Sequence, residues 1–285
     1  MKSLNAYVEN YLTESLFDDE DVLSGPERDR NIVENWISQN YKISGQLEIL
    51  HDDIYTVNCS GDVGVKNRDI TSLTNDMFRW GNVGGHFDCS ECDKLTTIEG
   101  APKYVDGNFA CFFCKNLISL EGAPKEVNGF FACSFCDSLT DLKGAPEKVD
   151  WSFNCSNCKN LESLEGAPKE IGGDFNCFDC ENLTSLKGVP KEIGGDFDCS
   201  RCDKLSSLEG SPKKVGKVFN CSFCGKLTTL KGTSEKVDGI FNCTYCKNLK
   251  TLKGAPEKIK DYLWCEGCKN LKLTDSDYKK YKILL

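Results

Sequence analysis

Nine cysteines, Cys89, Cys111, Cys133, Cys155, Cys177, Cys199, Cys221, Cys243 and Cys265, follow one another at an unbroken interval of 22 residues, and each has a second cysteine three positions later. A unit this short cannot bury its own apolar face, so such units stack and the core becomes a column rather than a ball. The 285 residues therefore read as a mainly β solenoid of nine 22-residue rungs over residues 81–285, with a small α-helical segment before it and irregular caps at its ends.

Counted from the first cysteine of each rung as position 0, the unit reads Phe at −2, Cys at 0 and +3, Leu at +6 and +9, Gly at +11, Ala-Pro at +12 and +13, Val or Ile at +16, and often Gly at +17 or +18. Val105, Gly107, Phe109 and Cys111 alternate, which predicts one strand per rung with these residues facing inward. From Cys to Cys to Leu to Leu the spacing changes to three, as suits a chain turning around the column with apolar residues inside. Gly100, Ala101 and Pro102 and their equivalents mark a turn, where glycine permits positive φ and proline presets its own. Lys and Glu at +14 and +15, such as Lys125 and Glu126, read as a solvated edge. Nine rungs at the ~4.8 Å strand spacing give a column of roughly 40 Å. In the last rung Leu263 replaces Phe and no Gly-Ala-Pro follows, so Tyr278, Tyr281, Leu284 and Leu285 are expected to fold back over the open end.

Two segments precede the array. Residues 1–23 place Leu4, Tyr7, Val8, Tyr11, Leu12 and Leu16 at helical spacing, ahead of the acidic run Asp18, Asp19, Glu20 and Asp21. Residues 24–80 open on a helix from about Pro26 to Asn40, with Ile32, Val33, Trp36 and Ile37 on one face. Strand-like alternation then runs from Tyr41 to Val65, and Ile70 and Leu73 match Leu95 and Ile98 of the first full rung. This is an irregular N-terminal cap repeat. Its Cys59 lies 30 residues before Cys89, as if about eight residues were inserted.

Charge narrows the partners. Residues 1–80 carry 15 acids and 7 bases, while the rest carries 29 acids and 28 bases. A nearly neutral array has no clustered Lys and Arg for a phosphate backbone, which argues against nucleic acid. No stretch approaches the ~18 to 20 apolar residues of a membrane span, and the N-terminus lacks the pattern of a secretory signal. The expected setting is a reducing cytoplasm, with the cysteines explained by their place in the repeat rather than by oxidation.

The element Phe-x-Cys-x-x-Cys-x-x-Leu-x-x-Leu resembles that of leucine-rich repeats, with the second cysteine at the ladder position usually held by Asn or Cys. More narrowly, Gly-Gly-Asp-Phe-(Asn/Asp)-Cys with Leu-Thr-Ser-Leu-(Glu/Lys)-Gly-Ala-Pro-Lys-Glu-(Val/Ile)-Gly-Gly resembles leucine-rich-repeat proteins encoded by tailed bacteriophages. The segments Trp36 to Ile43 and Glu14 to Asp21 add to that resemblance. It implies a leucine-rich-repeat-like fold, no established activity, and residence in an infected bacterial host or its virions. Those relatives carry Asn on the ladder, so cysteine here implies the loss of ladder hydrogen bonds to backbone, in favour of apolar packing or a role specific to cysteine. Residues 1–23 are also similar to the capsid-targeting peptides of some tailed phages, with Leu12, Thr13 and Glu14 as a candidate processing site. This is the virion-cargo alternative; the other reading of the helix is a simple cap.

Cys-x2-Cys-x18-Cys-x2-Cys also fits zinc-ribbon spacing, but nine pairs cannot be divided into sets of four thiolates without leaving a pair over. Buried ladder thiols are the favoured reading, with zinc, disulfides or iron–sulfur as the alternatives. No cofactor is implied. His51 and His86 are the only histidines and sit beside no nucleophile elbow, phosphate loop or zinc-protease motif, so no catalytic residue is assigned. The outward positions are taken as −3, −1, +1 and +2. They carry Phe112, Phe113, Phe130 and Phe135 in early rungs, and Phe223, Tyr245, Tyr262 and Trp264 in late ones, with Asp174, Asn176, Asp179, Asp196 and Asp198 between. Projecting aromatics are candidate anchors for a protein partner, and the central carboxylates read as a solvated face.

Overall fold

The computed structural model describes residues 26–51 and 54–285. The leader of residues 1–23, including Leu12, Thr13 and Glu14, lies outside the described residues.

Helix α1, Pro26–Asn40, starts on a proline whose missing N–H costs nothing in a first turn. It buries Ile32, Val33 and Ile37, and sets the Trp36 ring against Tyr41 and Phe78 at 6.0 and 5.6 Å. Tyr41–Ile43 then pairs antiparallel with Val63–Val65, and Leu47–His51 with Tyr55–Cys59. From there the strands run parallel, because each rung returns the chain to the same side of the column.

Hydrogen-bonded register corrects the reading of the cap. Val63 pairs with Phe87 and Cys59 with Val83, which belongs to the valine row of Val105. Cys59 is therefore no counterpart of the ladder cysteines. Val65 holds that place, and the cap turn is two residues longer than a rung rather than eight.

Each rung carries two short strands, not the single one expected from its alternation. In the rung of Cys155 these are Lys148–Val149 and Phe153–Asn154. A bend at +17 and +18, where Asp, Gly or Asn mostly stand, turns the chain between them. The inward alternation of Val149, Phe153 and Cys155 survives the bend, but the two ends join different sheets. One sheet of twelve strands runs unbroken from Tyr41–Ile43 to Ile283–Leu284. The other is divided into seven and four strands, parting between Glu170–Ile171 and Glu192–Ile193. Val189 stands at this gap, in place of the alanine of the four preceding rungs, and a cleft of about 640 Å³ opens over Ile171, Val189 and Pro190.

Stacking makes the core. Phe87, Phe109, Phe131, Phe153, Phe175, Phe197, Phe219 and Phe241 form one buried row with ring centroids 5.1 to 5.7 Å apart. Both leucine rows and the valine or isoleucine row of these rungs are likewise buried.

The C-terminal cap differs from expectation. Thr274 and Asp277 exchange capping bonds at the start of helix α2, Asp275–Lys280, and Ile283–Leu284 adds a last strand beside Leu263–Trp264. Only Tyr281 of the four expected residues is buried, donating its hydroxyl to the Pro256 carbonyl at 3.0 Å. Tyr278, Leu284 and Leu285 are exposed, because the cap closes by strand pairing rather than by an apolar lid.

Candidate interaction face

All nineteen cysteines are free thiols and all are buried. Each thiol at +3 from Cys114 onward donates to the carbonyl of the position-0 cysteine one rung earlier, over 3.0 to 3.3 Å. The expected loss of ladder bonds to backbone is thus corrected: sulfur replaces an amide as donor, and the ladder persists as S–H···O=C bonds in an apolar wall. Burial pushes the Cys111 and Cys133 thiols well above the ordinary range, and Cys136 up to about 12. Cys92 and Cys268 at the two ends are lowered instead, each first through its hydrogen bond with a thiol of the neighbouring rung, Cys114 and Cys243. Among the described residues no group of three or more His, Cys, Asp or Glu side chains is placed to hold a metal ion.

Replacing Cys177 and Cys180 together by alanine should lower stability by about 2 kcal/mol, through lost packing and one lost ladder bond. Urea denaturation measures it, and an unchanged midpoint would mean that these thiols do not pack.

Three of the central carboxylates, those of Asp174, Asp196 and Asp198, belong to the backbone. At −3, the Asp174 and Asp196 carboxylates accept from the N–H groups of Asp196 and Val218 at 2.8 and 2.9 Å. His86 and Asn108 do the same for Asn108 and Phe130. At −1, the Asn154, Asn176 and Asp198 side chains accept from the N–H two residues on, at 2.8 to 2.9 Å, fixing the turn that follows. Position +1 is not outward in most rungs: Ser90, Ser134, Ser156, Ser200 and Ser222 are buried there, and Phe112 is half-buried, edge-on to Phe113 at 5.8 Å.

Position +2 is where the aromatics collect. Glu91, Phe113, Phe135, Asn157, Asp179, Arg201, Phe223 and Tyr245 all adopt φ of 57 to 59°, and Gly267 holds the place in the last rung. The N–H of each donates to the +1 carbonyl of the next rung, as Phe113 does to Ser134 at 2.9 Å and Tyr245 to Glu266 at 2.7 Å. Left-handed backbone suits Gly, Asn and Asp, and costs other residues about 1 kcal/mol or more. Four aromatic rings nevertheless stand there. Phe113 stacks on Phe135 at 4.3 Å, and Phe223 on Tyr245 at 4.8 Å, with interplanar angles of 13 and 9°. The Arg201 guanidinium extends the second stack, 5.0 Å above Phe223. These rings remain 38 to 41 % exposed.

Phe130, Tyr262 and Trp264 are exposed as expected, but sit on the neighbouring −3 and −1 rows. Trp151, 65 % exposed, is an aromatic that the reading of outward positions missed. Its signal was present in the repeat: six rungs have glycine at that place, and Asp150 beside it lines the cleft.

No protein-family model and no curated protein matches the sequence. Among solved structures, a leucine-rich repeat protein from Bacteroides ovatus is similar over 81 % of each chain, with 17 % identity and a TM-score of 0.34. A likeness that distant carries no argument, and the solenoid rests on its own register. No helix among the described residues is long and apolar enough to cross a membrane.

Proposed function

We propose that this protein is a non-enzymatic interaction module that binds a protein partner through the aromatic rows at +2, flanked by Phe130, Tyr262 and Trp264. The observation that carries the reading is the backbone under the rings. Asn or Gly would fill each left-handed position with less strain, so stability does not account for Phe113, Phe135, Phe223 and Tyr245. Half-exposed aromatics in pre-stacked, conformationally fixed rows are the side chains that dominate protein interfaces. Thiols such as Cys111 and Cys133, buried and pushed well above the ordinary range, supply no nucleophile. A phage-encoded origin, supported by the sequence resemblance, puts the partner in an infected bacterial cell.

Changing Phe113 and Phe135 together to Asp should abolish a complex captured from infected-cell lysate by the full chain. The melting temperature should stay within a few degrees of wild type. A complex that survives would show that these rings are not the interface, and a collapse in melting temperature would place them in the core.

A further inference from the structure

We infer that the partner of the +2 row is a second copy of this chain, in a two-fold dimer whose axis passes through Asp179. The inference rests on the interaction reading above and gives its partner an identity. Counting rungs from Cys89, Asp179 lies in rung five of nine. Moving away from it in either direction along the row, one meets a polar side chain and then two stacked rings: Asn157 and the Phe135–Phe113 stack one way, Arg201 and the Phe223–Tyr245 stack the other.

A row that reads alike in both directions is what an isologous interface requires, because a two-fold axis lays it against itself reversed. The 22-residue register is constant from Phe87 to Leu263, so one axis brings all the rungs opposite one another together. Phe113 then meets Tyr245 of the second copy, and Phe135 meets its Phe223, with each pairing made twice. A foreign partner would not require this symmetry.

Charge supports the same register. The Asp179 carboxylate makes no hydrogen bond or ion pair within the chain among the described residues, unlike those of Asp174, Asp196 and Asp198, which are engaged by backbone. The Arg201 side chain makes none either. Its guanidinium lies over the Phe178 and Phe223 rings, 5.8 and 5.0 Å from their centroids, and its N–H groups are left for an acceptor. In the dimer the two Asp179 carboxylates flank the axis, and an Arg201 from each copy lies one rung away on the diagonal. Two acids and two bases form a closed, neutral cluster between the aromatic blocks. Main-chain groups of the rungs are already paired, so the contact is made by side chains.

The row spans six rung spacings, ~29 Å, which puts a contact one row wide at the low end of specific interfaces and makes the dimer concentration-dependent. Sedimentation equilibrium of the full chain, from about 10 to 500 µM, should show monomer passing into dimer. Asp179→Arg alone and Arg201→Asp alone should each weaken dimerisation at least tenfold, with melting temperatures within a few degrees of wild type. Mixed in equal amounts, the two variants should restore it, because the doubly basic centre of one meets the doubly acidic centre of the other. A wild-type chain that stays monomeric throughout, or a mixture no tighter than either variant alone, overturns the second copy as partner. If the Phe113→Asp, Phe135→Asp chain still loses a captured complex in that case, the interaction reading stands with a foreign partner. A wild-type dimer indifferent to that double change overturns both.

Discussion

Raising the pH from 8 to about 10 in the presence of a reductant should unfold this protein cooperatively. Ten thiols, those of Cys89, Cys111, Cys133, Cys155, Cys158, Cys177, Cys199, Cys221, Cys224 and Cys243, are pushed well above the ordinary range, burial being the first cause for all but Cys243, where the Cys268 bond leads. In the unfolded chain each ionises near ~8.5, while in the column it keeps its proton. Above that pH the unfolded state therefore binds fewer protons than the folded one, and stability falls as pH rises. Each thiol contributes ~1.4 kcal/mol per pH unit, so ten together remove roughly 14 kcal/mol per unit, comparable with the whole stability of a typical domain. The effect fades below pH 8 and is negligible by about pH 7. Far-UV circular dichroism after equilibration at each pH gives the midpoint, and thiolate absorbance near 240 nm should rise in step with the loss of structure. Native dichroism persisting at pH 11 without thiolate absorbance would show that the transition is not governed by the thiols as argued.

The cysteine interval alone dictates the solenoid, because a period of 22 leaves a chain no core except its neighbours. Helix α1 was equally legible, from one proline and four apolar residues on one face. Register in the cap was not. Residue type misleads there, because Cys59 is a cysteine standing in a valine row, a place that hydrogen bonding alone assigns. The second strand of each rung was hidden for a related reason: alternation reports which way side chains face, and it passes unchanged through a bend between two sheets. Polar residues at −3 and −1 looked solvated because a pattern cannot tell a carboxylate facing water from one accepting the next rung's N–H, as Asp174 does. The left-handed turn at +2 left a faint mark. Asn157, Asp179 and Gly267 share that position, and all three tolerate positive φ, but the aromatics of the same row obscured it.

Changing Gly144 to Ala should lower the unfolding free energy by about 3 kcal/mol or more, and two causes combine to give that figure. Gly144 has φ +87°, where a Cβ is strained by ~1 to 2 kcal/mol. That Cβ would also lie 2.3 Å from the Glu121 nitrogen and 2.5 Å from the Leu120 carbonyl carbon, backbone atoms of the preceding rung that no rotamer change can clear. Separating the rungs to make room is an overpacking strain of the kind that costs ~1 to 3 kcal/mol. It acts on the interface between neighbours from which a solenoid draws its stability. Gly225→Ala serves as the control: its φ is not positive, and the nearest atom to its Cβ is the Asp203 Oδ1 at 3.3 Å, at the end of an exposed side chain that can swing aside. Urea denaturation should put that variant within ~0.5 kcal/mol of wild type, as for an ordinary surface change. Equal midpoints for the two variants would mean that the Gly-Ala-Pro turn is not packed against the rung before it, and that glycine at +11 serves only to let the chain turn.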